Sequence, residues 1–344
     1  MKTNNLQMNK LVVFLGLALI VAGCGEDDNE PLAPKPLTDI AITTLQTALV
    51  AGGSLTLVAT PVPASAMDYV PVWSVSEGAE FVTVSQTGEV IAMASGLAAV
   101  KVKSGNIEKS IVITVLGARG IKNLSTKGGG SITIEWDAAD AANGALYSEV
   151  AYIGLDGTEK TVQTPASAQF TNIADYQSNL KHRMAYLPES EQLVTNYQEE
   201  TGYFFFEKTG WKILSYSSAL ADLPATKAIN GDTTGDFSDR WHTDATEEED
   251  GTPSVTIDLG AEATIVRFAV WPSYEPQKLP NNVRFEVSKD NITWTNLGEY
   301  TCDTTADVMG ARYFDVTPTS ARYFRWTGWE IYWMAVAEFD VFCK

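Results

Sequence analysis

The sequence is short of the residues on which enzyme chemistry most often depends. Its 344 residues include only two histidines and three cysteines. No G-x-S-x-G, H-E-x-x-H or phosphate-loop motif occurs. Paired carboxylates could still hydrolyse a glycoside, but small β modules account for nearly all of the chain after its N-terminal segment. We therefore expect a protein without catalytic activity, and a glycoside-active enzyme is the weaker alternative.

The N-terminal apolar run is too short to cross a membrane. Residues 11–23 carry no charge, but they fall short of the roughly 20 residues that a spanning helix needs. Lys2 and Lys10 precede the run, as in a secretory signal peptide. The run ends in "VAGC", which resembles the lipobox of bacterial lipoproteins. That resemblance implies a signal peptide at residues 1–23 and a lipid anchor on Cys24, the predicted first residue of the mature chain.

An acidic, proline-rich segment follows Cys24. Its acids are Glu26, Asp27, Asp28 and Glu30, and its prolines are Pro31, Pro34 and Pro36. This composition predicts a solvated, extended tether over residues 24–36. The acids also resemble the surface-export signal of lipoproteins in glycan-foraging Gram-negative gut bacteria. The resemblance implies a protein anchored in the outer membrane that faces the cell exterior.

Positive charge is scarce, which excludes two classes of partner. The net charge is −19, and removal of residues 1–23 takes away two lysines and leaves −21. Such a polyanion is repelled by nucleic acid and by anionic lipid headgroups, so we expect membrane attachment only through the lipid. After Cys24 only Cys302 and Cys343 remain. They could form one disulfide or stay as buried thiols, and the sequence leaves this open.

The rest of the chain has the pattern of β-strands. Segments such as "SLTLVAT", "SITIEW" and "VRFEVS" alternate apolar and polar residues, as half-buried antiparallel strands do. No long segment keeps a helical period. The prediction is an all-β protein with three β-sandwich domains in a row, at residues 37–116, 117–205 and 206–344.

The first unit, residues 37–116, resembles the group 2 bacterial immunoglobulin-like domains. We expect Trp73 to fill its core and Gly88 to need a positive φ in a hairpin turn. In that family the domain is mostly a spacer or stalk. The resemblance is carried by Trp73, Thr87, Gly88, Val90, Ala92, Gly96, Ala98 and Val100.

The second unit, residues 117–205, resembles fibronectin type III-like modules through "ITIEW" and "YLPE". His182 stands between Lys181 and Arg183, which predicts an exposed strand face and no catalytic role.

The third unit, residues 206–344, carries seven of the nine tryptophans. Its ordered motifs "KAINGD", "SDRWHT", "VTIDLG", "FEVSKDNITW", "ARYFRW" and "VAEFDVF" resemble the discoidin, or coagulation factor type C, fold. The sugar-binding members of that fold are the family-32 carbohydrate-binding modules. Trp294 resembles the core tryptophan of the fold, Asn291 replaces its turn glycine, and Trp241 is a second core candidate. The residues predicted to alternate inward are Ile257, Leu259, Phe285, Val287, Phe339 and Val341.

The resemblance also implies a structural calcium ion beside the binding loops. The matching positions are Asn230, Asp232 and Glu338, with the carbonyl of Ala228 as a further ligand. Calcium takes six to eight oxygens at about 2.3–2.6 Å, and these residues can begin such a shell. Asn230 replaces an aspartate of the family, and extra residues precede Asp239, where the family prefers threonine.

Two aromatic-rich loops are the candidate sugar site. A sugar needs an aromatic face for its C–H surface and fixed polar groups for its hydroxyls. The loops "VWPSYEPQKLPNN" and "TGWEIYWM" offer large aromatics among proline and glycine, where packing alone explains them poorly. The predicted carbohydrate-binding residues are His242, Trp271, Tyr274, Asn282, Trp329, Tyr332 and Trp333.

These predictions combine into a surface lipoprotein that binds a polysaccharide or host glycan through its terminal domain. Two sandwich spacers would hold that domain away from the outer membrane, beside enzymes and glycan-uptake proteins that use the captured sugar. An adhesin that binds a protein partner is the main alternative, because the same architecture can serve it.

Overall fold

The computed structural model describes residues 35–244, 252–306, 308–329, 331 and 333–344. The predictions about Cys24, the acidic tether and Tyr332 therefore lie outside the described residues, as does the acidic run at residues 247–250. The described chain is built from β-strands, with three short 3₁₀ turns at Ala141–Asn143, Ala225–Ile229 and Pro276–Lys278. Within those ranges, no helix has the length and apolar character needed to span a membrane.

The first domain forms three small sheets around one core. Strands β2, β9, β8 and β5 make a four-stranded sheet, β3, β7 and β6 make another, and β1 pairs with β4. The strands are β1 (Asp39–Thr43), β2 (Ala48–Val50), β3 (Ser54–Thr56), β4 (Val58–Val62), β5 (Val72–Glu77), β6 (Val82–Val84), β7 (Glu89–Ala92), β8 (Gly96–Ser104) and β9 (Ile107–Leu116).

Its core confirms both expectations for this domain. Trp73 is buried among Leu57, Val90 and Val102. Gly88 has a φ of +83°, and a Cβ there would lie 2.3 Å from the carbonyl oxygen of Leu57. Glycine is needed at this turn for both reasons.

The middle domain is a sandwich of two sheets. Strands β14, β11 and β10 make one sheet, and β13, β12, β15 and β16 make the other, with β17 added beside β15. The strands are β10 (Ile121–Gly128), β11 (Ser131–Trp136), β12 (Ala145–Gly154), β13 (Glu159–Pro165), β14 (Phe170–Ile173), β15 (Tyr176–Tyr186), β16 (Leu193–Val194) and β17 (Gln198–Glu199).

His182 corrects the expectation of an exposed histidine. Its side chain is 4% exposed and packs edge-on against Trp136, with 5.6 Å between ring centroids. Lys181 and Arg183 flank it on strand β15, where successive side chains point to opposite faces. The two charged neighbours therefore mark the outer face, and His182 lies on the inner one.

The terminal domain is a β-sandwich with two long, bent strands. Strands β21 and β24 pair along most of their length, with irregular register between Asp258 and Ala263. The strands are β18 (Phe204–Phe206), β19 (Lys212–Tyr216), β20 (Trp241–His242), β21 (Ser254–Pro272), β22 (Asn282–Ser288), β23 (Thr295–Thr301), β24 (Arg312–Trp329) and β25 (Ala335–Cys343).

Strand β18 joins the middle and terminal domains into one sheet. It runs parallel to β10 of the middle domain through Ser125 opposite Phe205. On its other side it pairs antiparallel with β25, where Phe204 lies opposite Cys343. One hydrophobic core then continues from Ile134 to Phe268. The predicted boundary at residue 205 thus falls inside a strand that serves both domains.

The core of the terminal domain follows the sequence pattern closely, with one difference. Trp241 is fully buried, as are the six residues predicted to alternate inward. Asn291 takes a left-handed φ of 61°, as the missing turn glycine requires. Trp294 is only half-buried, because it lies in the turn before β23 with the Arg325 guanidinium 4.1 Å from its ring centroid. Cys302 and Cys343 are free buried thiols, and burial raises the pKa of both.

Candidate functional site

Three loops meet at one end of the terminal sandwich. They are residues 230–240 after the 3₁₀ turn Ala225–Ile229, residues 273–281 between β21 and β22, and the described residues 331, 333 and 334 between β24 and β25. The Tyr274 N–H donates to the Gly235 carbonyl at 3.0 Å. The Thr243 N–H donates to the Met334 carbonyl at 3.0 Å. The first bond joins the first loop to the second, and the other joins the third loop to the segment that follows β20.

Gly235 allows the first two loops to touch. Its φ is +61°, and a Cβ at this position would lie 2.7 Å from the Ser273 Cα and 2.8 Å from the Pro272 carbonyl oxygen. Both neighbours are backbone atoms that cannot move aside as a flexible side chain can. Any other residue would push the loops apart.

Exposed aromatic rings stand on all three loops. Phe237 is 71% exposed, Tyr274 is 42% exposed and Trp333 is 47% exposed. The rings of Phe237 and Tyr274 lie 6.1 Å apart between centroids. Large apolar rings are costly to leave in water, so this end of the domain presents a surface suited to a ligand with apolar faces.

Two cationic side chains, Arg240 and Lys278, make cation–π contacts with these rings. The Arg240 guanidinium carbon lies 4.7 Å from the Phe237 ring centroid and 4.9 Å from that of Tyr274. Arg240 is only 2% exposed, and its Nη1 donates to the carbonyls of Asp236 and Phe237. The Lys278 ammonium lies 5.8 Å from the Trp333 ring centroid. Contacts of this kind between a cation and a ring are attractive, by about 0.5–1 kcal/mol at exposed sites, and so favour one position of the ring.

Polar groups lie beside the rings. The Lys278 Nζ is 2.7 Å from the Glu275 Oε2, and this ion pair holds the pKa of Glu275 below its ordinary value. Asn282 begins β22 and lies directly opposite Trp329, the last residue of β24. Both side chains are half-buried at the rim of the loops. These groups could meet the hydroxyls of a bound sugar.

His242 lies under the loops and is largely buried. It pairs with Ala335 in strand β25, and its Nδ1 is 2.8 Å from the Thr243 carbonyl oxygen. Burial lowers the pKa of His242, and the positive charges of Lys278 and Arg240 lower it further. The site therefore favours the neutral imidazole, and His242 is only 8% exposed.

Trp271 lies in strand β21 and not in a loop. It is half-buried, and its indole N–H donates to the Asp340 Oδ2 at 2.6 Å. Its strand partner is Glu338. The ring is thus fixed on the sheet below the loops, unlike the more exposed rings of Tyr274 and Trp333.

The predicted calcium ligands are engaged with protein donors. The Asn230 Oδ1 accepts the Asp232 N–H at 2.8 Å, and the Asp232 Oδ1 accepts the Thr234 N–H at 2.8 Å. Glu338 is fully buried: its Oε2 accepts the Gly231 N–H at 2.7 Å. Burial raises the pKa of Glu338 to about 7, although a lysine ammonium opposes the shift.

That ammonium belongs to Lys208 and lies 2.7 Å from the Glu338 Oε1. Ala228, whose carbonyl was the further predicted calcium ligand, is fully buried in the 3₁₀ turn Ala225–Ile229. Within the ranges that the structure describes, no three His, Cys, Asp or Glu side chains cluster as metal ligands. These contacts do not fit a calcium ion whose shell includes the Glu338 carboxylate, and calcium binding stays a prediction.

Phe237, Arg240 and Lys278 are site residues that the sequence patterns did not indicate. Phe237 lies before Asp239, in the part of the first loop that is longer than the family pattern, whereas Arg240 lies within the motif "SDRWHT". An aromatic residue inside such an extension was the available signal. The contact of the Arg240 guanidinium with both rings depends on Tyr274, which is distant in sequence, so no local pattern could show it.

Two parts of the chain match known families. Residues 36–115 match the bacterial Ig-like domain of group 2. Residues 227–326 match the F5/8 type C family described as the NedA-like, galactose-binding domain. These matches agree with the Ig-like and discoidin-type domains that the motifs predicted. No curated protein matches the sequence of this chain.

Several solved structures resemble the terminal domain. One is the C-terminal domain of a chitobiase from Bacteroides fragilis, with 23% identity, a TM-score of 0.35, and 40% of this chain and 95% of that one covered. Another is a Clostridium perfringens module in complex with GalNAc-β-1,3-galactose, with 20% identity, a TM-score of 0.35, and coverage of 40% and 98%. A family 32 carbohydrate-binding module of Clostridium perfringens in complex with galactose shows 17% identity, a TM-score of 0.36, and coverage of 41% and 99%.

Proposed function

We propose that the protein is a non-catalytic glycan-binding protein and that the three loops of its terminal domain form the binding site. The observation that carries this proposal is the set of exposed rings, Phe237, Tyr274 and Trp333, held on these loops by Arg240 and Lys278. The match of residues 227–326 to a galactose-binding domain family supports it.

The chemistry of the site suits a neutral sugar. The C–H face of a pyranose packs on an aromatic ring, which contributes about 0.5–1.5 kcal/mol beyond the burial of area. Glu275, Lys278 and Asn282 offer acceptors and donors for hydroxyls beside the rings. A shallow site of this kind binds with a dissociation constant of order 0.1–1 mM, or about −4 to −5.5 kcal/mol. Many anchored copies would meet one polymer, and avidity then raises the effective affinity.

The experiment compares two exposed phenylalanines in the full chain carrying Cys24→Ala, which prevents the predicted lipidation. A glycan array identifies the best ligand, and calorimetry measures its affinity. Phe237→Ala removes a ring of the site and should weaken binding about 5- to 30-fold, the equivalent of about 1–2 kcal/mol. Phe170→Ala removes a ring that is 52% exposed on an edge strand of the middle domain, and it should bind as the wild type does.

Two other functions remain as outcomes of that experiment. An adhesin would give no array hits and would bind a protein partner through the same rings. An enzyme would release reducing sugar from a panel of polysaccharides, which we do not expect because the two matched families are binding and spacer domains. Equal affinities of the Phe237→Ala and Phe170→Ala variants would place the sugar elsewhere on the protein.

The proposal extends to the cellular setting. Lipidated Cys24 would anchor the protein in the outer membrane, and several acyl chains on one residue anchor stably. The acids after it would direct the protein to the outer face, where glycan-uptake proteins are natural neighbours. Support for this step comes from residues 21–30 alone.

Whole-cell protease shaving tests the location. Cys24→Ala should release the protein from membranes. Replacement of Glu26, Asp27, Asp28 and Glu30 by neutral residues should keep it membrane-bound but protect it from protease. An unchanged digestion pattern in the second variant would contradict the export signal.

A further inference from the structure

A single lysine forms ion pairs with two buried carboxylates beneath the binding loops. Lys208 follows β18, the strand that the middle and terminal domains share, and its side chain is 12% exposed. Its Nζ lies 2.7 Å from the Glu338 Oε1 and 2.6 Å from the Asp340 Oδ1. Both carboxylates are at least nine-tenths buried. Buried charges at this depth are strongly destabilising unless they are paired.

Each carboxylate also accepts a hydrogen bond from a residue of the candidate site. The second oxygen of Glu338 accepts the Gly231 N–H at 2.7 Å, at the start of the loop that carries Phe237 and Arg240. The second oxygen of Asp340 accepts the indole N–H of Trp271 at 2.6 Å. One ammonium therefore fixes the two anions that hold a loop and a ring in place.

The donor pattern suits an ammonium better than calcium. Lys208 contributes one positive charge and three N–H donors, and Gly231 and Trp271 contribute one donor each. Calcium instead needs six to eight oxygen ligands, and the hydrogens of these donors would point at the same carboxylates. With the ammonium present, each carboxylate has both its oxygens engaged.

We propose that Lys208 is a positioning residue that serves as the resident cation of the site, so that folding and sugar binding need no divalent metal. The part about sugar binding rests on the proposed function, whereas the part about folding does not. Lys208 lies two residues after β18, the strand that both domains share. The lysine therefore links the junction of the two domains to the loops.

The experiment uses the full chain carrying Cys24→Ala, with thermal melts and calorimetry on the best array ligand. The wild type should keep its melting temperature and affinity in EDTA and in millimolar calcium. Lys208→Met keeps the length of the side chain but removes its charge, and it should lower the melting temperature by several degrees and the affinity at least about tenfold. Lys208→Arg should keep the affinity within about threefold, because a guanidinium can also bridge two carboxylates.

Lys289→Met is the matched control. Lys289 pairs with Glu262 at 2.6 Å, but its side chain is 60% exposed and Glu262 is not among the predicted site residues. This variant should melt and bind as the wild type does, because exposed ion pairs contribute little.

Three results would overturn the proposal. The first is a lower melting temperature of the wild type in EDTA, and the second is a melting temperature that rises saturably with calcium. The third is a Lys208→Met variant that has the melting temperature and the affinity of the wild type. If the wild type binds no sugar at all, the proposed function fails, but the melts in EDTA, in calcium and of Lys208→Met still decide the role of Lys208.

Discussion

The first domain and the loop end of the terminal domain both expose large apolar side chains, but of different kinds. The described part of the first domain exposes only aliphatic ones. The loop end of the terminal domain exposes aromatic rings that make cation–π contacts with Arg240 and Lys278. The exposed aliphatic side chains of the first domain include Val58, Met67, Val70, Val72, Leu97 and Val112.

This difference separates ordinary surface from the proposed binding site. Scattered aliphatic side chains are normal on soluble proteins, because apolar atoms make up about half of any protein surface. A ring held by a buried guanidinium, as Phe237 is by Arg240, has less freedom to lose when a ligand binds. Rings held by cations on these loops thus favour recognition, whereas the exposed side chains of the first domain give no sign of a binding site.

The largest expected effect is on the shared core. Trp241 is fully buried, and its indole N–H donates to the Ser218 carbonyl at 3.0 Å. Trp241→Ala should cost about 3–5 kcal/mol. Because the terminal and middle domains share one core, calorimetry should show both destabilised together and the first domain unchanged.

Trp73→Ala is the counterpart of that variant in the first domain. It should destabilise the first domain and leave sugar binding intact. A single melting transition that shifts equally in both variants would show instead that the first domain unfolds with the other two, through the buried cluster of Ala48 and Leu116 with Met184.

Trp271→Phe should have a smaller effect, mostly on stability. The variant keeps a ring but removes the N–H that Asp340 accepts, and a buried acceptor that loses its donor costs about 1–3 kcal/mol. We expect a lower melting temperature with affinity retained within about threefold. A loss of binding as large as that of the exposed rings would instead place Trp271 in contact with sugar.

Trp333→Ala should affect binding and not stability. The ring is 47% exposed, so its removal leaves no core cavity, while the lost stacking and burial weaken binding by about 1–2 kcal/mol. Leu97→Ala in the first domain removes a side chain of similar exposure and should change neither quantity. Paired melts and calorimetry check both variants, and a large drop in the Trp333→Ala melting temperature would show that the ring is structural.

The smallest expected effect is a pH dependence in the middle domain. Burial lowers the pKa of His182 below its ordinary value of 6.5, so the unfolded chain takes up a proton at a higher pH than the folded one. The contribution of the neutral, buried His182 to the free energy of unfolding is complete above pH 6.5. It decreases as the pH falls below that value, by at most about 1.4 kcal/mol per pH unit. Denaturant unfolding between pH 5 and 8 should show that the free energy of unfolding changes less steeply with pH in His182→Leu than in the wild type.

Local patterns predicted the scaffold well. The alternation around Ile257 and Phe285 and the glycine at residue 88 follow from strand geometry and from a positive φ, and neither depends on distant residues. The buried state of His182 was missed because its charged neighbours suggested an outer face. The free state of Cys302 and Cys343 was left open because pairing depends on the distance between two strands.

The sequence by itself determined the all-β class, the Ig-like and discoidin-type domains and most core positions, because strand periodicity and turn chemistry act over a few residues. Only the tertiary structure decided which groups meet. Lys208 and Glu338 are 130 residues apart in the sequence, and Arg240 reaches Tyr274 across two loops. Such contacts depend on how the strands cross, since the energy of a charge or a ring is set by its neighbours in space.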